Sequence, residues 1–182
     1  MALAAAALAS DEEGKIVRPV EGAAIAAGPI DVAAKAPPGG RIELDGKAVE
    51  ASEVDAPFPG VLHARLEAAP GEHVVALVWP GGRKQVRVFV GENPPAGFEP
   101  FHMHPPPDGI DCAQCHGLSR RGRFRFQGDC FGCHTDEQFT ANHPHAKHVL
   151  EQCGMCHNAH GSTADALQIY PRETACRQCH SL

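Results

Sequence analysis

Between residues 15 and 90, short apolar and β-branched runs alternate with polar positions and stop at turns containing glycine or proline. Lys15-Ile-Val17, Ile30 to Ala34, Arg41-Ile-Glu-Leu44, Val61 to Leu66, His73 to Trp79 and Gln85 to Val90 each read as a strand. Val86, Val88 and Val90 share one face, because side chains alternate with period two along a strand. Asp45-Gly46 is a hairpin signal, and Pro80-Gly81-Gly82 turns the chain between two runs. Six or seven strands in about 75 residues predict a small two-sheet sandwich. The pattern ends where Asn93-Pro94-Pro95-Ala96-Gly97 and Pro105-Pro106-Pro107 read as extended connectors. Beyond them neither helical nor strand periodicity dominates; cysteine and histidine do.

These features divide the chain into residues 1–10, a signal-peptide remnant; 11–92, an all-β sandwich; 93–100, a Pro-rich linker; and 101–182, a second domain. The sandwich resembles immunoglobulin-like and fibronectin-like modules at the level of fold, without cysteines for an inter-sheet disulfide. Fold alone assigns no chemistry, so spacing, docking or shielding is its expected job. His63 and His73, on presumed strands, are expected to face solvent without a metal role. Ala7-Leu8-Ala9 fits the small-residue cleavage pattern of a secretory signal, with Asp11-Glu12-Glu13 opening the mature chain. No run reaches the ~18 apolar residues of a membrane span.

Composition sharpens the contrast. Hydrophobic residues make up 43% of the 182, but much of that is alanine, and there are only one Trp, one Tyr and eight Phe. Alanine buries little area, so the second domain must draw its packing from elsewhere. The net charge of −6 gives no reason to expect nucleic-acid binding. All eight cysteines lie at or after Cys112.

They fall into four copies of one form: Cys112-Ala-Gln-Cys115-His116, Cys130-Phe-Gly-Cys133-His134, Cys153-Gly-Met-Cys156-His157 and Cys176-Arg-Gln-Cys179-His180. C-x-x-C-H is the attachment signature of c-type haem. Two thiols add to the vinyl groups as thioethers, and the adjacent imidazole becomes the proximal iron ligand. Eight cysteines could also form two Cys₄ zinc centres or four disulfides. Neither demands histidine after every pair. With ten histidines among the 81 residues from His102, chance would place one after all four about once in four thousand trials. Redox-active Cys-x-x-Cys pairs would need a βαβ context that is absent here. Four haem c groups are the expected cofactors.

An internal repeat runs through this half. His104 stands eight residues before Cys112 and His145 eight before Cys153, an offset of 41 that His102 and His143 share. Distal candidates are therefore His102, His104, His143, His145 and His160, with His148 read as a surface or supporting residue. Met103 is the one plausible methionine ligand and would raise the potential of its haem. Supply exceeds the four imidazoles that bis-histidine ligation needs. Arg120, Arg121, Arg123 and Arg125 crowd the first spacer, either as a solvated basic loop or as partners for haem propionates.

The arrangement resembles multihaem c-type cytochromes with the doubled CxxCH motif, a class that includes small tetrahaem carriers and the cytochromes of extracellular filaments. His145-Ala-Lys-His-Val-Leu-Glu-Gln-Cys153-Gly-Met-Cys156-His157-Asn-Ala-His160 carries the family's preceding histidine and its CxxCH-x-x-His extension. The first repeat departs from it, with Ser119 at the place of His160. Its second haem is then expected to borrow a ligand from His102, His143 or another subunit.

The expected fold is thus an all-β immunoglobulin-like sandwich followed by a mostly irregular, haem-packed cytochrome c domain with short helices starting near each CxxCH. About 20 residues per haem leave porphyrin faces to replace a side-chain core. The expected function is electron transfer rather than catalysis, in the periplasm or outside the cell. Expected partners are redox proteins or extracellular acceptors, and other copies of the chain, up to a haem-wire filament as the resemblance implies. The competing reading is a multihaem reductase with one open iron. A third is a binding module, whose β-domain recognises a surface and whose haems relay electrons.

Overall fold

A computed structural model of the chain describes residues 13–26, 28–54, 58–104, 112–121, 124–134 and 152–181. The expected signal remnant and the candidates His143, His145 and His148 lie outside them, as does Arg123.

Ten strands build the N-terminal region: β1 Lys15–Arg18, β2 Ala23–Ile25, β3 Ile30–Lys35, β4 Arg41–Leu44, β5 Lys47–Ala48, β6 Ser52–Glu53, β7 Val61–Leu66, β8 Gly71–Trp79, β9 Gly82–Val90 and β10 Glu99–Pro100. They form one sheet ordered β1-β3-β7-β6 and another ordered β10-β2-β9-β8-β4-β5. Ile30, Val32, Ala64 and Leu66 from the first sheet meet Ala23, Ile42, Val75, Val88 and Val90 from the second in one buried cluster. That is a sandwich, as the alternation implies.

The turn signals act as expected. Leu44 pairs with Lys47 around Asp45-Gly46, whose φ angles of 50° and 78° are the double left-handed form that matches strand twist. Trp79 pairs with Gly82 around Pro80-Gly81. A Cβ on Gly82 would stand 2.8 Å from the Trp79 ring, so the indole lies where only glycine leaves room.

Two of the sequence expectations need correction. His63 and His73 do not face solvent freely. His63 Nε2 lies 2.9 Å from Oδ2 of the buried Asp31, whose other oxygen takes Arg18 Nε at 2.5 Å. His73 sits between Asp45 Oδ2, 2.8 Å away, and the Ala69 carbonyl, 2.7 Å away. A buried carboxylate without such partners would be costly, and Arg18 and His63 meet both oxygens of Asp31. The second correction concerns the connector. Glu99 and Pro100 pair in parallel with Ala23 and Ala24 of β2, which itself runs parallel to β9. Phe101 N donates to the Ala24 carbonyl at 2.8 Å, and the Phe101 side chain packs on the core cluster. The segment expected as a linker thus ends as the edge of a sheet.

Beyond Phe101 the regular elements are brief. One helical turn, Cys112–Cys115, leads into a hairpin of β11 His116–Leu118 and β12 Phe124–Phe126. Single 3₁₀ turns at Cys130–Gly132, Cys153–Met155 and Asp165–Leu167 and a helix at Arg172–Arg177 follow. Among the described residues no helix is long and apolar enough to cross a membrane.

Candidate haem and metal centre

Each Cys-x-x-Cys-His stands on a helical turn. In the second motif the amides of Cys133 and His134 both donate to the Cys130 carbonyl, at 3.2 and 2.9 Å. Cys156 and His157 do the same to Cys153 at 3.1 and 2.9 Å, and Cys179 and His180 to Cys176 at 3.3 and 3.0 Å. A turn of this kind brings residues three apart onto one face, so both thiols of a motif point the same way. The intervening residues are small or solvent-facing, and the histidine leaves the turn at its end. All eight cysteines are free thiols. Burial pushes the Cys130 thiol pKa up, and the neighbouring thiols of Cys153 and Cys115 and the Asp129 carboxylate add to the rise. Three attachment loops, from the first, second and third motifs, therefore converge.

The histidines assemble in pairs across the repeat. His116, from the first motif, faces His160, from the second repeat, with Nε2 atoms 3.4 Å apart and rings inclined by 11°. His104 faces His134 of the second motif, Nε2 to Nε2, at 3.3 Å. These separations exceed an ordinary N–H hydrogen bond. They fall within about 0.8 Å of the ~4 Å that two imidazole nitrogens occupy on opposite sides of one metal ion, at ~2.0 Å per bond. Burial, reinforced by the charges of His116, Arg18 and Lys15, lowers His160 to a pKa of about 4. Burial also lowers His116, against a hydrogen bond to the Arg125 backbone. Both rings are accordingly neutral near pH 7, the form that binds a metal.

His157 is prepared differently. Its Nδ1 donates to the Ala166 carbonyl at 2.8 Å, which fixes the tautomer and leaves Nε2 to ligate. The carbonyl reaches it because Ala166 and Leu167 both take left-handed backbone, φ 52° and 56°. Asn158 N then bonds Leu167 O, and Ile169 N bonds Cys156 O, each at 2.8 Å, so this loop folds back over the third motif. No sequence signal marks it, since alanine and leucine rarely adopt that conformation.

The other candidates separate. His102 is exposed, and its backbone bridges Ser162; among the described residues no imidazole faces it. Met103 lines a cleft with Ile25, Ala26, Pro29, Asp31 and Phe101, against the sandwich. Arg120, Arg121 and Arg125 are exposed. The imidazole that faces His134 of the second motif is His104.

The residues fit the group that the motif implies. Paired thiols lie on turns, opposed imidazoles stand ready, and the exposed large apolar side chains Phe126, Phe131, Met155, Ile169 and Tyr170 all surround these motifs. A porphyrin face would cover such surface. Among the described residues no cluster of three or more His, Cys, Asp or Glu side chains is gathered to hold a bare metal ion. Covalent haem would supply an iron that cycles by one electron; the protein supplies thiols, imidazoles and burial.

Compared with known proteins, the chain is similar to a solved structure titled "Structures of Clostridium thermocellum CbhA fibronectin(III)-like modules", at 18% identity and a TM-score of 0.35, over 45% of this chain and 100% of that one. No curated protein matches the chain. Residues 143–181, which hold the third and fourth Cys-x-x-Cys-His sequences, match the family model described as "Doubled CXXCH motif", and this part of the chain accordingly carries the signature of covalent c-type haem and electron transfer.

Proposed function

We propose that the chain is an electron carrier holding four haem c groups, each ligated by two histidines. The opposed pairs His116–His160 and His104–His134 are the observation that carries this reading. In it, His116 and His134 are proximal, and His160 and His104 complete the irons of the first two motifs. His157 and His180 are proximal in the third and fourth, with His143 and His145 as their distal partners. Two strong-field imidazoles on every iron leave no position for substrate, which favours carrying over catalysis. The converging thiols of Cys115, Cys130 and Cys153 support close spacing of the first three groups, as electron hopping requires.

The ligand count is testable by low-temperature EPR on the full-length holoprotein. Wild type should contain only low-spin iron. His104→Ala and His160→Ala should each convert one haem in four to high spin, and different ones. High-spin iron in wild type would favour the reductase. Polymerisation, with redox proteins or extracellular acceptors as partners, is the extension that the resemblance supports. The His104–His134 pair meets the ligand demand of the second haem within one chain, so a filament would rest on other contacts. Electron microscopy of secreted protein tests it.

A further inference from the structure

Apart from Gly161 and Ser162, no described residue after Phe98 is buried. Both follow directly on His160, and Phe101 and His102, just past the end of β10, lie against them. A Cβ at Gly161 would lie 2.4 Å from the Phe101 ring and 3.1 Å from the His102 carbonyl, and its φ of +128° is itself a glycine conformation. His102 and Ser162 exchange both backbone hydrogen bonds at 2.9 Å. Phe101 is in turn bonded to Ala24 of β2 and packed on the core. From the other side, Asn158 closes the loop: its Oδ1 accepts from His160 N at 3.1 Å and its Nδ2 donates to Gly161 O at 2.7 Å. Ser162 Oγ donates to Gln168 O and accepts from Ala164 N. The backbone that carries the imidazole facing His116 is therefore fastened to the end of β10.

We propose that the β-sandwich positions the axial imidazole of the first haem, by seating Gly161 under the Phe101 ring and bridging His102 to Ser162, so that this haem takes its spin state and potential in part from the sandwich. The inference rests on the bis-histidine reading above. It makes the sandwich part of the redox apparatus, beyond spacing or docking. A small displacement of strand β10 moves His160 relative to His116, while the thioether-bearing turn at Cys112–Cys115 stays where it is. Because an axial ligand sets the potential of its iron, the other three haems need not respond.

The test uses full-length holoprotein and reads EPR and a potentiometric titration resolved by haem. His160→Met first identifies the signal of this haem, since a Met/His pair raises potential relative to His/His. Phe101→Ala should then shift that same signal and its potential, or turn that iron partly high-spin, with the largest response of the four haems. Phe101→Leu, which keeps an apolar filler and the fold, should shift it less. Gly161→Ala should act on the same signal, and adding Phe101→Ala to it should be non-additive, since the two share one contact. Unchanged spectra in all variants, or a larger response in the haem marked by His104→Met, would overturn the proposal. Equal shifts of all four haems would overturn it too, by revealing general loosening. If wild type lacks haem altogether, or His160→Met moves no signal, the bis-histidine reading fails instead.

Discussion

From Ala23 to Phe98 sixteen apolar side chains are buried, whereas among the described residues beyond Phe98 no apolar side chain is, and the five large ones left open all stand there. The sandwich is self-sufficient: its strands satisfy their backbone in two sheets and close over one another. The cysteine-rich half makes single turns, a three-residue hairpin pair and loops, with thiols and imidazoles where a core would be. The difference is one of solvent for the side chains. Protein atoms serve in the first region, and in the proposed reading porphyrin serves in the second. Six of the sixteen buried residues are alanines, so a thin sandwich accommodates the alanine-rich composition; no comparable solution is visible among the described residues of the other half.

The sharpest way to break this contrast is to withhold the haems. With all eight cysteines replaced by alanine, hydrogen exchange should show protected amides across strands β3, β4, β7, β8 and β9 and near-complete loss of protection over residues 112–181. Equal protection of both halves would mean that the second one packs by itself. The reverse experiment is smaller in effect. Ile42→Ala, at a fully buried site, should cost the sandwich about 2–5 kcal/mol by thermal or denaturant unfolding. Four haems should remain attached by mass, because the thioethers do not depend on the core.

Polar contacts give two finer distinctions. Asp31→Asn should destabilise the sandwich by about 1–3 kcal/mol through the partly buried Arg18 left without its counter-charge. Burial works against ionising Asp31, but hydrogen bonds and charge from His63 and Arg18 win and hold its pKa below the usual 3.8. A folded pKa below the unfolded one means stability that is present above pH 3.8 and lost as pH falls through the lowered value. Wild type should therefore lose stability on that acid limb, and Asp31→Asn should lose less. His73 is raised above 6.5, chiefly by its hydrogen bond to Asp45. Its contribution is complete below pH 6.5 and fades as pH rises through the higher folded value. Asp45→Asn should remove that alkaline fade at a cost under about 1 kcal/mol, since Asp45 is half exposed. Melting temperatures against pH check both.

Much of the molecule was legible in the sequence where a local rule sufficed. Alternation located β3, β4, β7, β8 and β9, and Asp45-Gly46 located the hairpin, because period and turn conformation are local properties. Among the strands that escaped, β2 Ala23–Ile25 and β10 Glu99–Pro100 are built mainly from alanine, glutamate and proline, which are depleted in strands; partners 65 to 76 residues away make them strands. Cys-x-x-Cys-His spacing is likewise local, and the helical turns stand where the motifs do. Which distal histidine faces which proximal one is not. The repeat nominated His104 and His160 without assigning either to a motif; the fold sets His104 beside His134 and brings His160 of the second repeat to His116 of the first. The candidate imidazoles were legible and their pairing was not, because the packing at Gly161 and Phe101 that sets His160 beside His116 is long-range.

Intact mass of the protein matured in a host that attaches c-type haem tests the central claim most directly. The account requires the polypeptide plus four haems, reduced to three by Cys112→Ala with Cys115→Ala and likewise for each other motif. A bare polypeptide mass, or one short only by the hydrogens of disulfides, would contradict it.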